Sequence, residues 1–392
     1  MIVSVAGFYN RTIQLPKNRR IMGVETLQGE RLKTQLRPGD RLLLLPNHPT
    51  HADPEIFFEA LRQTGLTTQF MVAYEVFQRS RVNACVIRRV GGFSVDREGA
   101  DMLSANEAMA TLRVGRHALT LFPEGNVYLQ NDVAGLFNDG AAFLGLKVAL
   151  DLPAPARVMA VPVTIKVTHL TDVLPERLAR LRAMAADLKT VLPAEIQPLD
   201  LLRHVGLAAL RQNLKRRGFD LQENGSLPEV IRQTAEEVLG RLETKMGIAS
   251  RAKDVPIERV RHLRRVIHQI RIDPARAADH KVAAAWADEA MVAFKIASYA
   301  GNYVESRPTL DRFAETVEKL DEDIYSRMPS PYAPRHAYVR FGDPIDLSDE
   351  VETAKKKLRR AVENVTQKVE QSVQAGLDEL NARNPHAGGK PL

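Results

Sequence analysis

Short apolar runs alternate with amphipathic stretches over the first 165 residues, and then the alternation stops. The run Leu42-Leu43-Leu44-Leu45 reads as a buried strand that Pro46 ends, and Ile56, Phe57 and Phe58 begin a helix over 54–64. The same pattern predicts strands at 93–95, 118–122 and 158–165, with helices at about 99–115 and at 139–150. Strands separated by helices are the rhythm of an α/β domain. From Leu174 to about Ser326 nearly every stretch reads as helix. Leu207, Leu210 and Leu214 form one apolar stripe, and Val260, Leu263, Ile267 and Ile270 form another behind a start at Asp254-Val255-Pro256, with Asp254 as N-cap. Strand character returns over 337–345. A long amphipathic helix follows, with Ser348 as its N-cap and Val351, Ala354, Leu358, Val362, Val365, Val369 and Val373 on its apolar face. Residues from Asn384 read as a disordered tail.

A chain of 392 residues exceeds the usual single core, so one large domain with an insertion, or two domains, is expected. No apolar run reaches the 18 or so residues that span a bilayer. The apolar start Met1 to Phe8 is too short for a signal peptide and lacks leading positive charge, which predicts a cytoplasmic protein. Cys85 is the one cysteine, fits a reducing compartment, and is expected as buried filler rather than a nucleophile. The net charge of +7 is uneven: residues 1–166 carry 19 basic and 15 acidic groups, and 167–270 carry 18 and 13. Such a surface attracts anionic partners, lipid headgroups, acyl carriers or nucleic acid, without distinguishing them.

The candidate chemistry sits where the leucine strand ends. Asn47-His48-Pro49-Thr50-His51-Ala52-Asp53 places an imidazole at a strand end and a carboxylate five residues on. A neutral imidazole can take a proton from a hydroxyl when a carboxylate fixes its tautomer. In other readings His48 and Asp53 cap the following helix, or His48, His51 and Asp53 ligate the metal of a hydrolase. The spacing departs from the familiar His-x-His-x-Asp-His cluster and no second ligand set is evident, so no metal is expected. A nucleic-acid-binding module built on Lys215 to Arg217 and on Arg259, Arg261, Arg264 and Arg265 lacks aromatic residues for base stacking nearby.

Three further blocks bear on these alternatives: Gly91-Gly92-Phe93-Ser94-Val95-Asp96-Arg97, Leu121-Phe122-Pro123-Glu124-Gly125 and Val161-Pro162-Val163-Thr164-Ile165. In order and spacing the four resemble the blocks of the glycerolipid acyltransferase family, whose best-known members are lysophosphatidic acid acyltransferases. The resemblance covers about residues 40–166 and resumes near 339–347. It implies an α/β fold with the acyltransferase-type mixed sheet flanked by helices. That family brings its next strand soon after the Val-Pro-Val strand, whereas about 170 residues intervene here, so a large helical insertion before the last strand is expected. The implied division is a core over 1–166, a helical insertion over 167–335, and a final strand and C-terminal helix over 336–383 completing the core, with 384–392 as tail.

By the same resemblance His48 is the general base, Asp53 its orienter and His51 a bystander. Arg97, Glu124 and Gly125 bind the acceptor, and Asn47, Thr50, Phe122 and Pro123 support them. The implied reaction moves an acyl group from acyl-CoA or acyl carrier protein, used as co-substrate with no bound cofactor, to the hydroxyl of a lysophospholipid or glycerol-phosphate type acceptor. No covalent enzyme intermediate is required. The chain departs from the pattern where familiar members continue with Thr and Arg after Glu-Gly: here stand Asn126 and Val127. It departs again at Asn138-Asp139, where a Lys often precedes Gly-Ala. Glu-Gly-Asn-Val resembles the tafazzin branch, which moves acyl groups between phospholipids. A lipid acceptor further implies peripheral docking on an anionic membrane surface at its inner face, with no nucleic acid as partner.

Overall fold

The computed structural model describes residues 2–99, 101–249 and 255–392 and divides into two units. The first comprises 1–97, 101–173 and 330–391. Its elements run α1 (Ile2–Tyr9), a π-helical continuation (Asn10–Asn18), β1 (Ile21–Leu27), α2 (Gly29–Gln35), β2 (Arg41–Pro46), α3 (Asp53–Thr64), β3 (Thr68–Ala73), α4 (Tyr74–Gln78), α5 (Arg81–Arg89), β4 (Gly92–Val95), α6 (Met102–Val114), β5 (Ala118–Thr120), α7 (Gly140–Asp151) and β6 (Val158–His169). After the second unit the chain returns with β7 (Arg335–Phe341) and β8 (Ile345–Asp346).

These strands form one mixed sheet in the order β1-β7-β6-β2-β5-β3-β4, with β8 paired to β6. All neighbours are parallel except β6 with β7 and β6 with β8. Alternation along the strands sorts side chains to two cores. Leu43, Leu45, Val158 and Ala160 face α6, α7 and the C-terminal helix, while Leu44, Val161, Val163 and Ile165 face α3. The leucine run is apolar throughout because both faces of β2 are covered.

The final helix, α14 in chain order, spans Val351–Ala382 and buries Ala354, Val362, Val365, Val369 and Val373. Its start corrects the sequence reading. A short 3-10 turn, Leu347–Glu350, precedes it, and Ser348 spends its hydroxyl and its amide on Asp346 Oδ1, at 2.6 and 2.9 Å. Ser348 therefore does not cap the long helix. The tail is also ordered where disorder is expected: Asn384 Nδ2 donates to Thr168 Oγ1 at 2.8 Å, and His386 Nε2 meets the Tyr338 hydroxyl at 2.9 Å. Those polar anchors hold the segment without an apolar signal. Cys85, expected inside, is exposed on α5.

The second unit, 98–100 with 174–329 and Leu392, holds α8 (Leu174–Asp187), α9 (Pro198–Lys215), α10 (Leu227–Met246), α11 (Pro256–Ile272), α12 (His280–Ala297) and α13 (Leu310–Tyr325). Val260, Leu263, Ile267 and Ile270 are buried in one of its cores, together with Leu214. The N-cap expected at Asp254 lies outside the described residues. Arg259 is buried and bidentate to Glu243, at 2.9 and 2.8 Å, so it is not part of a basic surface.

Candidate active site

β2, β4 and β5 deliver His48, Arg97 and Glu124 just past their C-terminal ends, where parallel α/β sheets place their sites. β6 runs on past the last β2 pair, Pro46 with Val163, and two asparagines take over its open edge. Asn47 Nδ2 donates to Ile165 O at 3.0 Å while Ile165 N donates to Asn47 Oδ1 at 2.7 Å. Asn131 repeats this one pair further along: Val167 N donates to its Oδ1 at 2.9 Å and its amide donates to Val167 O. Asn47 is thus a backbone surrogate that fixes the loop just before His48.

From that anchor the chain turns into α3. Asp53, fully buried at the helix start, accepts at Oδ2 from Thr50 N at 2.8 Å and at Oδ1 from the Thr50 hydroxyl at 2.8 Å. Its Oδ2 also lies 2.7 Å from His48 Nδ1. A carboxylate offers acceptors only, so the imidazole places its proton on Nδ1 and keeps Nε2 as the proton acceptor. The Phe122 ring lies against His48 with centroids 4.4 Å apart, backed by Phe57.

Phe122-Pro123-Glu124-Gly125 is the turn that ends β5. Gly125 N donates to Phe122 O at 3.1 Å with φ at 72°, the left-handed region that favours glycine. A Cβ there would also meet Asn138 Nδ2 at 2.8 Å. Glu124 is buried, and its Oε1 accepts from His48 N at 3.1 Å. Burial pushes its carboxyl up to about 8, with Asp53 and Glu370 adding repulsion, against the lowering effect of the His48 and Gly135 amides. At neutral pH this carboxyl is largely protonated and can donate a hydrogen bond. Gly135 comes so close that a Cβ would sit 2.8 Å from Glu124 Oε2.

The loop carrying Gly135 is held by α14, a contribution the sequence reading missed. Thr366, Glu370 and Gln374, four apart on one helix face, meet it: the Thr366 hydroxyl donates to Asp139 Oδ1 at 2.9 Å, Phe137 N to Glu370 Oε2 at 3.0 Å, and Ala134 N to Gln374 Oε1 at 3.0 Å. Asp132, in the same loop, forms a buried ion pair with Lys166 of β6. A lysine inside the apolar run Val161 to Val167 is the signal that could have found it, since a buried ammonium needs a partner. The departures at 138–139 have structural work: Asn138 Nδ2 donates to Pro123 O at 2.8 Å, and Asp139 receives Thr366.

Arg97 lies at the rim. It pairs with neither chain neighbour; its Nη1 donates to Gly125 O at 3.0 Å and its Nη2 is 3.8 Å from Glu75. The structure thus brings His48, Asp53, Thr50, Phe122, Glu124, Gly125 and Arg97 together. Among the described residues no group of three or more His, Cys, Asp and Glu side chains is placed to hold a metal ion.

Residues 27–166 match a protein-family model described as acyltransferase. This segment is an acyltransferase-family domain. Comparison of the chain with curated proteins gives no match. The acyltransferase domain holds His48, Thr50, Asp53, Arg97, Phe122, Glu124 and Gly125, and it supports acyl transfer as the general activity.

Proposed function

We propose that the protein transfers an acyl group from a thioester, acyl-CoA or acyl carrier protein, to the hydroxyl of a lysophospholipid or glycerol-phosphate type acceptor. The observation that carries this reading is the 2.7 Å contact of His48 Nδ1 with a buried Asp53, beside a Glu124 tied to the same histidine's amide. The acceptor hydroxyl gives its proton to His48 Nε2 as its oxygen attacks the thioester carbon. The C–S bond then breaks and the departing sulfur takes the proton back from the imidazolium. Asp53 steadies the charged ring during the exchange. The protonated Glu124 supplies a donor to acceptor oxygens.

Arg97 is the cation proposed for an acceptor phosphate, because Val127 and the pair Asn138-Asp139 stand where two further cations would be expected. Its guanidinium suits phosphate by charge and fork geometry. With purified protein, a labelled acyl thioester and a panel of acceptors, acidic acceptors are expected to be preferred. Arg97→Ala should raise KM for them by at least about tenfold, the scale of one charge-assisted hydrogen bond, with KM for the thioester unchanged. Equal use of neutral or amine acceptors, indifferent to Arg97, would overturn the acceptor assignment. A lipid acceptor also requires the protein to dock on a membrane, and no helix among the described residues is long and apolar enough to cross one.

A further inference from the structure

In a unit with two packed cores, α5 runs nine residues with none of them buried. Val82 is 74% exposed, Val86 and Cys85 are also exposed, and these with Arg89 share one helix face. α1 packs beside it and presents Val5, Phe8 and Tyr9, three and four positions apart, to solvent. Scattered exposed apolar residues need no explanation, but stripes on two adjacent helices do. The chain segments that carry them hold charge of one sign. No acidic residue occurs before Glu25 or between Glu75 and Asp96, while Arg11, Lys17, Arg79, Arg81, Arg88 and Arg89 are all exposed within those stretches. An apolar stripe on chain segments that carry only cations matches the headgroup boundary of an anionic bilayer.

Position supports the same occupant. α4 rises directly from the C-terminal end of β3, the neighbour of β5, and α5 leads back from it to the start of β4, so the beginning of α5, with Arg79, Arg81 and Val82, stands nearest the sheet end that carries the site. Glu75 of α4 pairs with Arg97, which in turn holds the Gly125 carbonyl. We infer that α1 and α5 form the face by which the protein lies on an anionic phospholipid surface, with the Arg97 rim turned to acceptors held in that surface. The inference rests on the lipid-acceptor reading for its purpose, although vesicle binding can be measured without any catalysis.

The test is cosedimentation of the full chain at low salt with vesicles of phosphatidylcholine alone or of phosphatidylcholine with phosphatidylglycerol. Binding is expected only to the anionic vesicles and should weaken with salt. Paired changes Val82→Asp with Val86→Asp, and Arg79→Glu with Arg81→Glu, should each lower vesicle partitioning by at least about tenfold. The glutamate at 81 falls in the first turn of α5, where negative charge suits the helix, and position 79 is an exposed C-cap of the short α4, so the fold should persist. Both variants should keep activity on a soluble short-chain acceptor and lose it on the same headgroup embedded in vesicles. Unchanged vesicle binding by both variants, equal binding to neutral vesicles, or no binding at all would overturn the docking face. So would a dimer in solution that the Val82 and Val86 changes dissolve, since the face would then be a contact between copies. Vesicle binding that the variants lose, in a protein with no acyl transfer on any acceptor, would uphold the face and overturn the proposed activity instead.

Discussion

His48→Ala is expected to bring acyl transfer down to background while the thermal unfolding midpoint stays close to that of the parent. The imidazole is the proton acceptor in the proposed step, and at a partly exposed loop position its removal opens no deep cavity. Asp53→Asn should cost about 10⁴-fold in kcat, the scale on which a wrong-tautomer change acts in a serine protease triad. An amide nitrogen in place of Oδ2 would face the Thr50 amide and His48 Nδ1, both donors in the present arrangement. The ring would have to turn its proton to Nε2 and lose its power as a base. This change also strains a buried site, so folding must be checked beside turnover. His51→Ala should be much milder. Thiol release from the acyl thioester, followed with each purified variant, checks all three, and near-normal turnover by the His48 variant would sink the assignment.

Glu124 gives the second large effect, through pH. Its folded carboxyl lies near 8 against 4.5 for the free side chain, so the folded state holds a proton that the unfolded chain releases as pH rises. Below about 4.5 both states are protonated and the difference costs nothing. Between there and about 8 the parent should lose stability, on the order of 5 kcal/mol across the window if Glu124 acts alone. Glu124→Gln keeps the shape and cannot ionise, so its stability should lack that decline. Denaturant unfolding of both proteins at pH 5 and pH 8 compares them, and parallel profiles would show that Glu124 is not held protonated.

What could be read from the chain followed from how local the signal was. His48, Thr50 and Asp53 lie within six positions, so the hydrogen bonds among them close inside one loop and the spacing displays the pairing, while the bonds of Asn47 to Ile165, 118 residues away, were hidden. β2 and β6 announced themselves because both faces are buried and the runs are almost wholly apolar. β1 and β3 did not: the first is an edge strand and every residue of the second is half-buried, so neither alternates cleanly nor stays apolar. The support of the site from α14 was hidden for a different reason. Thr366, Glu370 and Gln374 look like a solvated helix face, and only the fold shows that the loop over 131–139 comes to meet them. The absent cations at 127 and 138 were visible, but the use of Asn138 as a brace for the Phe122 to Gly125 turn was not, because it links positions 15 residues apart.

In the proposed mechanism His48 activates the acceptor for direct transfer, and the protein itself is never acylated. Mixing the protein with a thioester labelled in its acyl chain, with and without a lysophospholipid acceptor, quenching in acid and locating the label tests this step. Direct transfer puts the label in a new ester of the acceptor, none on the protein, with little release when acceptor is absent. Label bound covalently to the protein, or appearing as free acid whether or not acceptor is present, would contradict it.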